Sequence, residues 1–373
     1  QARVQIRQTT WAGNIELHLR TSDWYRHQHQ HDRNYDNVIL HVVWQHDAEQ
    51  NGVPVLELEN RVPKVLLEKF EGLMNQSSFI PCEKMLTQVE AIHWQSWKDR
   101  LVAERLQRKA AIVLEYLKEN KQNWEETCWW IIARNFGSRV NMAAFEEMAK
   151  TLSLPLLGRH RSQLIQLEAL MMGQAGLLRD KIPDDDYYTL LQREYHFFRE
   201  KYRLKPVSQP VYFLRMRPGN FPTLRLAQLA ALMHKTNHLF SRIREAADVS
   251  SLREIFDVFA NDYWHYHYRF GEPTRYREKR LGAVMTYSLI TTAIVPLLFA
   301  FGQYPRYEGK KKKAMDLLEQ STAENNSITQ GFRKMGVKNS NGYDSQAITE
   351  LRNEYCNHKR CLECMIGNYL LKA

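Results

Sequence analysis

The hydrophobic period changes once along this chain, near residue 63, and that change limits the fold more than any other feature. Before it, apolar residues recur at alternate positions: Val4 and Ile6, then Ile15, Leu17 and Leu19, with Asn14, Glu16, His18 and Arg20 interleaved. Such alternation puts the two sets on opposite faces of β-strands. Val38 to Trp44 is a nearly unbroken apolar run, as suits a central strand covered on both faces. Asn51-Gly52 then marks a turn before Val53, Val55, Leu56 and Leu58. Beyond residue 63, Val102, Leu106, Ala110, Val113 and Leu117 form one stripe at helical spacing, with strong helix formers between them. The chain therefore reads as α+β and predominantly helical, with a small N-terminal β-rich module over residues 1–62 and a large helical region over 63–373.

Breaks between helices are expected at Leu154-Pro155, Ile182-Pro183, Pro206 to Pro222, Gly302 to Pro305 and Gly336 to Gly342. Leu281 to Phe301 carries no charge and is long enough to cross a bilayer. It contains Thr286, Ser288, Thr291, Thr292 and Pro296, and basic clusters flank it on both sides: Arg275, Arg277, Lys279 and Arg280 before, Lys310 to Lys313 after. Without charge asymmetry to orient a span, a buried core helix and no membrane partner are expected.

Lys+Arg 52 against Asp+Glu 42 leaves a formal charge of +10, which favours a polyanionic partner such as nucleic acid, although basic and acidic residues are mixed along the chain. Five cysteines in 373 residues are too few for a secreted disulfide scaffold, so a reducing, cytoplasmic compartment is expected. No charged-then-apolar leader opens the sequence.

The densest chemistry lies in Gly13-Asn-Ile-Glu16-Leu-His18, followed by Asp23-Trp24, His27, His29, His31, Asp32 and Tyr35. Glu16 and His18, two apart on a strand, project from one face, and the following connection is placed to bring His27, His29 and Asp32 over them. Imidazoles with carboxylates hold divalent ions, here magnesium or manganese, and such an ion turns water into a nucleophile near neutral pH. Glu16, His18, His27, His29 and Asp32 are thus the candidate catalytic and metal-binding set. His41, between apolar neighbours, reads as a hydrogen-bonded core histidine, and His31 as peripheral.

Two further groups stand out. Cys356, Cys361 and Cys364, with His358 among them, fit a structural zinc ion or three corners of an iron–sulfur cluster, with the distant Cys82 or His358 as the fourth ligand. Cys128, beside Trp129 and Trp130, reads as core. Arg215, Arg217 and Arg225 surround a Pro-Gly-Asn-Phe-Pro-Thr stretch in which Asn220 or Thr223 would cap a helix, a reasonable seat for the phosphates of a nucleic acid. The run Tyr263-Trp-His-Tyr-His-Tyr268 reads as an aromatic helix packed on the core.

Gly13-Asn-Ile-Glu-Leu-His18, the run Trp24 to Asp32 and Asn37-Val-Ile-Leu-His-Val-Val43 resemble the signature of an uncharacterised bacterial domain-of-unknown-function family, family 2851. Ile80-Pro-Cys82, Arg215 through Gln228 and Cys356 through Gly367 agree with it. That resemblance implies no activity. A weaker one is to the PD-(D/E)xK nuclease core, a restriction-endonuclease-like arrangement in which strand carboxylates hold magnesium. Glu16-x-His18 stands where its Glu-x-Lys would be, with His18 in place of the lysine, and the preceding acidic residue of that pattern would fall before Gln1.

Together these features suggest a metal-dependent, nuclease-like phosphodiester hydrolase acting on nucleic acid. The alternatives are a non-catalytic nucleic-acid or protein-binding scaffold with structural histidines, and a metal hydrolase acting on a small molecule.

Overall fold

Four strands form one mixed sheet in the order β1-β2-β3-β4: Ala2–Ile6, Thr9–Arg20, Val38–Gln45 and Val55–Glu57. The computed structural model describes residues 2–372 apart from Arg7, Asn51 and Lys181. β1 pairs antiparallel with β2, placing Ala2 opposite Gly13 and Val4 opposite Trp11. β2 and β3 run parallel, with Glu16 opposite His41 and His18 opposite Val43, and β4 adds parallel to β3. β3 is thus flanked by a strand on each side, in keeping with its unbroken apolar run. Asn51 lies outside the described residues, while Gly52 takes φ +92°, a turn conformation open to glycine at little cost.

Parallel neighbours cannot be joined by a tight hairpin, so the chain from β2 to β3 must cross over one face of the sheet. That crossover consists of a one-turn helix, α1 (Asp23–Arg26), and two 3-10 turns, His29–His31 and Arg33–Tyr35. It covers the face bearing Glu16 and His18. The opposite face of β2 leaves Trp11, Leu17 and Leu19 exposed, at 51%, 69% and 74%. The alternation expected from the sequence is present, but the polar side of β2 is the covered one.

The chain divides into two compact units, Gln1–Val89 with Cys356–Ala373, and Glu90–Tyr355. The first therefore holds more than the strands: α2 (Lys64–Met74) and the C-terminal helix Met365–Lys372 pack against each other within it.

The second unit is helical. Its longest element, α3 (Ala91–Glu119), buries Val102, Leu106, Ala110, Val113 and Leu117, the stripe anticipated from periodicity, and Leu101 beside them. α4 (Trp124–Phe136) and α5 (Ser138–Thr151) pack together, and α6 (Leu154–His160) starts with Pro155 in its first turn, where a missing N–H costs nothing. α7 (Leu164–Gln174) packs on both α8 (Asp186–Tyr202) and α9 (Pro222–Lys235). Ala283–Phe301 is a continuous helix, apolar enough by composition to cross a membrane, and 67% of that stretch is buried inside the protein. It contains one π-turn, Ile290–Ile294, directly before Pro296. Proline has no N–H and its ring crowds the carbonyl four residues back, here that of Thr292, so a widened turn at this point accommodates it.

Candidate metal centre

His18 and Glu16 reach the covered face because strand side chains alternate; His27 and His29 reach it because the crossover is pinned at its start. The Asp23 carboxylate accepts from Arg20 N–H at 3.0 Å and pairs with Arg26 at 2.8 Å. Ser22 donates its N–H and Oγ–H to Asp47, at 2.9 and 2.8 Å, which ties the turn to the end of β3. Gln28 then takes φ +60°, in the left-handed region, so the chain bends sharply between His27 and His29.

The result is three imidazoles around one point. His18, His27 and His29 each offer a ring nitrogen, and these nitrogens all lie within 4.8 Å of one another. His27 is exposed, His29 half-buried, and the His18 side chain only 8% exposed. Glu16 Oε1 stands 3.7 Å from His18 Nε2. Aromatic rings hold the group in place: Tyr35 stacks on His29 at 3.7 Å between centroids, and buried Trp24 meets the His29 and His41 rings at 5.5 and 5.3 Å.

Behind His18 lies a hydrogen-bonded chain. His41, with no exposed surface, sets Nδ1 against Gln50 Oε1 and Nε2 2.9 Å from His18 Nδ1; with Gln50 Oε1 as the acceptor, His41 Nδ1 donates to it and His41 Nε2 accepts from His18 Nδ1. With its Nδ1 proton so committed, His18 turns the lone pair of Nε2 toward His27, whose Nδ1 is 3.3 Å away. Metal-binding histidines are commonly oriented by such a bond on the other nitrogen. Burial lowers the His18 pKa, the His41, His29 and His27 charges lower it further, and Glu16 partly opposes them, so the neutral, ligating form is favoured.

The remaining sequence candidates fall elsewhere. Asp32 is exposed and accepts from Asn34 N–H at 2.9 Å, capping the second 3-10 turn. His31 is exposed on the crossover. His41 is buried and hydrogen-bonded as expected of a core histidine, yet it also orients His18. Its position opposite Glu16 on a parallel neighbour is a signal legible only once strand pairing is known. Gln50, in the β3–β4 connection, carried no sequence signal.

In the helical unit, Arg215 and Arg217 are exposed. Arg225 is 7% exposed and donates to Gln228 Oε1 at 2.9 Å and Asn220 Oδ1 at 2.6 Å. The cap expected from Asn220 or Thr223 is absent: α9 begins at Pro222 after Phe221 with no side-chain cap, and Thr223 Oγ1 donates to Tyr268 O at 2.6 Å. Asn220 is engaged by Arg225, and proline at the helix start removes one donor that a cap would satisfy. Trp264 is wholly buried, as anticipated for the aromatic run, although its helix spans only Asp262–His265. Cys128 is also fully buried.

Residues 1–327 match the family described as protein of unknown function (DUF2851). The chain belongs to that family. The histidine cluster lies inside the matched region, whereas Cys356 and the residues after it lie beyond it. No curated protein and no solved structure matches the chain significantly.

Proposed function

We propose that this family member is a metal-dependent hydrolase that cleaves phosphodiester bonds of nucleic acid at the centre formed by His18, His27 and His29. The observation that carries this reading is the convergence of three imidazole nitrogens within 4.8 Å, beside a carboxylate. Three protein ligands with solvent access on one side are the arrangement of catalytic rather than structural metal sites, which keep a position open. A bound divalent ion supplies Lewis acidity and an acidified water there.

The chain's own groups do the rest. His41 and Gln50 orient the His18 ring, Glu16 would supply a carboxylate next to His18 once an ion is held, and the exposed Arg20, Arg26 and Arg33 of the same unit offer positive charge to a phosphate backbone. Imidazole donors suit zinc, iron or nickel better than magnesium, and manganese remains compatible through Glu16.

The test is incubation of the full chain with labelled single- and double-stranded DNA and RNA in zinc, manganese or magnesium, beside His18→Ala, His27→Ala and Glu16→Ala variants. Metal-dependent cleavage falling at least about a hundredfold in His27→Ala is expected, since removing a ligand disables both binding and activation of water. Absence of cleavage with every ion, or full activity in the histidine variants, would refute the reading.

A binding module without catalysis is the second reading, favoured by the exposed Trp11, Leu17 and Leu19 on the other sheet face. Binding that weakens with salt, without cleavage, is its signature.

A further inference from the structure

A second cluster of ligating side chains lies in the sheet-bearing unit, separate from the histidines. Cys82 heads the 3-10 turn Glu83–Gln88, while Cys361 and Cys364 sit in the turns that lead into Met365–Lys372; each is only 7–8% exposed. Two segments far apart in the sequence thus belong to one compact unit. Lys359 Nζ donates to Met74 O at the end of α2, and Gly367 rests so closely on the Cys361 carbonyl that no Cβ fits there. The Cys82 thiol is pushed up to about 12, first by burial and then by Cys364 and Cys361, so the three sulfurs are electrostatic neighbours. Cys356 ends the preceding helical turn, Leu351–Cys356, and is half-buried. None of the five cysteines takes part in a disulfide. Leu73, Ile80 and Leu86 in the first segment and Ile366 and Leu370 in the second are also buried.

We propose that Cys82, Cys356, Cys361 and Cys364 ligate an iron–sulfur cluster that fastens the C-terminal tail to the segment after α2. Four thiolates on one tetrahedral zinc ion, each about 2.3 Å from it, would stand about 3.8 Å apart. Among the described residues, no three of these thiols have sulfurs that all lie within 4.8 Å of one another, as one zinc ion would require. Wider spacing is what a cluster requires, because its cysteines bind different iron atoms. Each thiol loses its proton to solvent as its sulfur binds iron, and a preassembled cluster brings its own iron and sulfide, so transfer needs no oxidant or reductant. Burial disfavours bare thiolates here, and iron ligation compensates the charge that burial penalises.

The full chain, purified without oxygen, would be assayed for iron, acid-labile sulfide, zinc and visible absorption, beside Cys82→Ser, Cys356→Ser, Cys361→Ser, Cys364→Ser and Cys128→Ser. Iron and sulfide in equal amounts with broad visible absorption are expected in the wild type and in Cys128→Ser. In Cys82→Ser and Cys361→Ser the iron should fall to background. Should the variants fold poorly, the wild-type apoprotein would be reconstituted with ferric iron, a thiol reductant and sulfide, and its absorption followed. A colourless wild type that carries stoichiometric zinc, or that takes up no iron on reconstitution, overturns the proposal. So does iron that survives in all four cluster variants or disappears equally from Cys128→Ser.

Discussion

Glu168 shows how strongly burial acts on single residues in this protein. It has no exposed surface; Tyr187 and Trp264 donate to its Oε2, and its Oε1 has no hydrogen-bond partner among the described residues. Burial raises its pKa to about 8, with the two donors opposing the shift. The folded-state value lies above the ordinary 4.5, so the protonated form is the one the fold favours. Its stabilising contribution is fully present below about pH 4.5 and is lost as pH rises through about 8. Glu168→Gln, which is neutral at every pH, should flatten the melting temperature against pH across that window and melt higher than wild type above it. A variant profile parallel to that of wild type would contradict this. The same accounting explains why His41 is easy to misjudge from sequence: its apolar neighbours correctly announce burial, but burial does not show that its ring orients His18.

At the scale of elements, helices are joined by groups whose loss has calculable direction. Glu350, 2% exposed on the helix Gly342–Glu350, accepts from Arg105 at 3.0 Å and Arg108 at 2.5 Å on α3, and Gln346 engages Arg105 at 2.6 Å. Removing one member of a buried ionic network leaves the others uncompensated, so Glu350→Ala should cost about 3–5 kcal/mol in denaturant unfolding. Where α7 meets α8, Gly173 lies directly on the Tyr195 ring, and an added Cβ would overlap it. Gly173→Ala should therefore lose roughly 1–3 kcal/mol despite alanine's better helix propensity, because overpacking outweighs the gain. A neutral or stabilised Gly173→Ala would show that the helices can separate at little cost. For β2 and β3, alternation and an apolar run were sufficient to read two strands. Their parallel pairing was not legible, since side-chain period is the same in parallel and antiparallel sheets.

Over the whole molecule, local pattern and long-range packing divide the information differently. A boundary at residue 62 follows the change of period, whereas the compact unit continues to Val89 and takes in Cys356–Ala373 from the other end of the chain. Deleting residues 356–373 should accordingly reduce hydrogen-exchange protection in α2, on which the C-terminal helix packs, while leaving α3 and α4 protected. Unchanged exchange in α2 would count against that partition. Periodicity by itself determined the α+β class and the buried stripe of α3, because these depend on which residues share a face of one element, while the polar content and symmetric basic flanks of Leu281 to Phe301 pointed to the largely buried helix found there. Composition and spacing likewise singled out His18, His27, His29 and the four cysteines. Only the tertiary structure decided that the crossover brings the histidines over His18, that Asp32 caps a turn, that Arg225 is buried, and that Cys82 neighbours the tail. Those outcomes depend on contacts between segments distant in sequence, and a one-dimensional pattern carries no term for them.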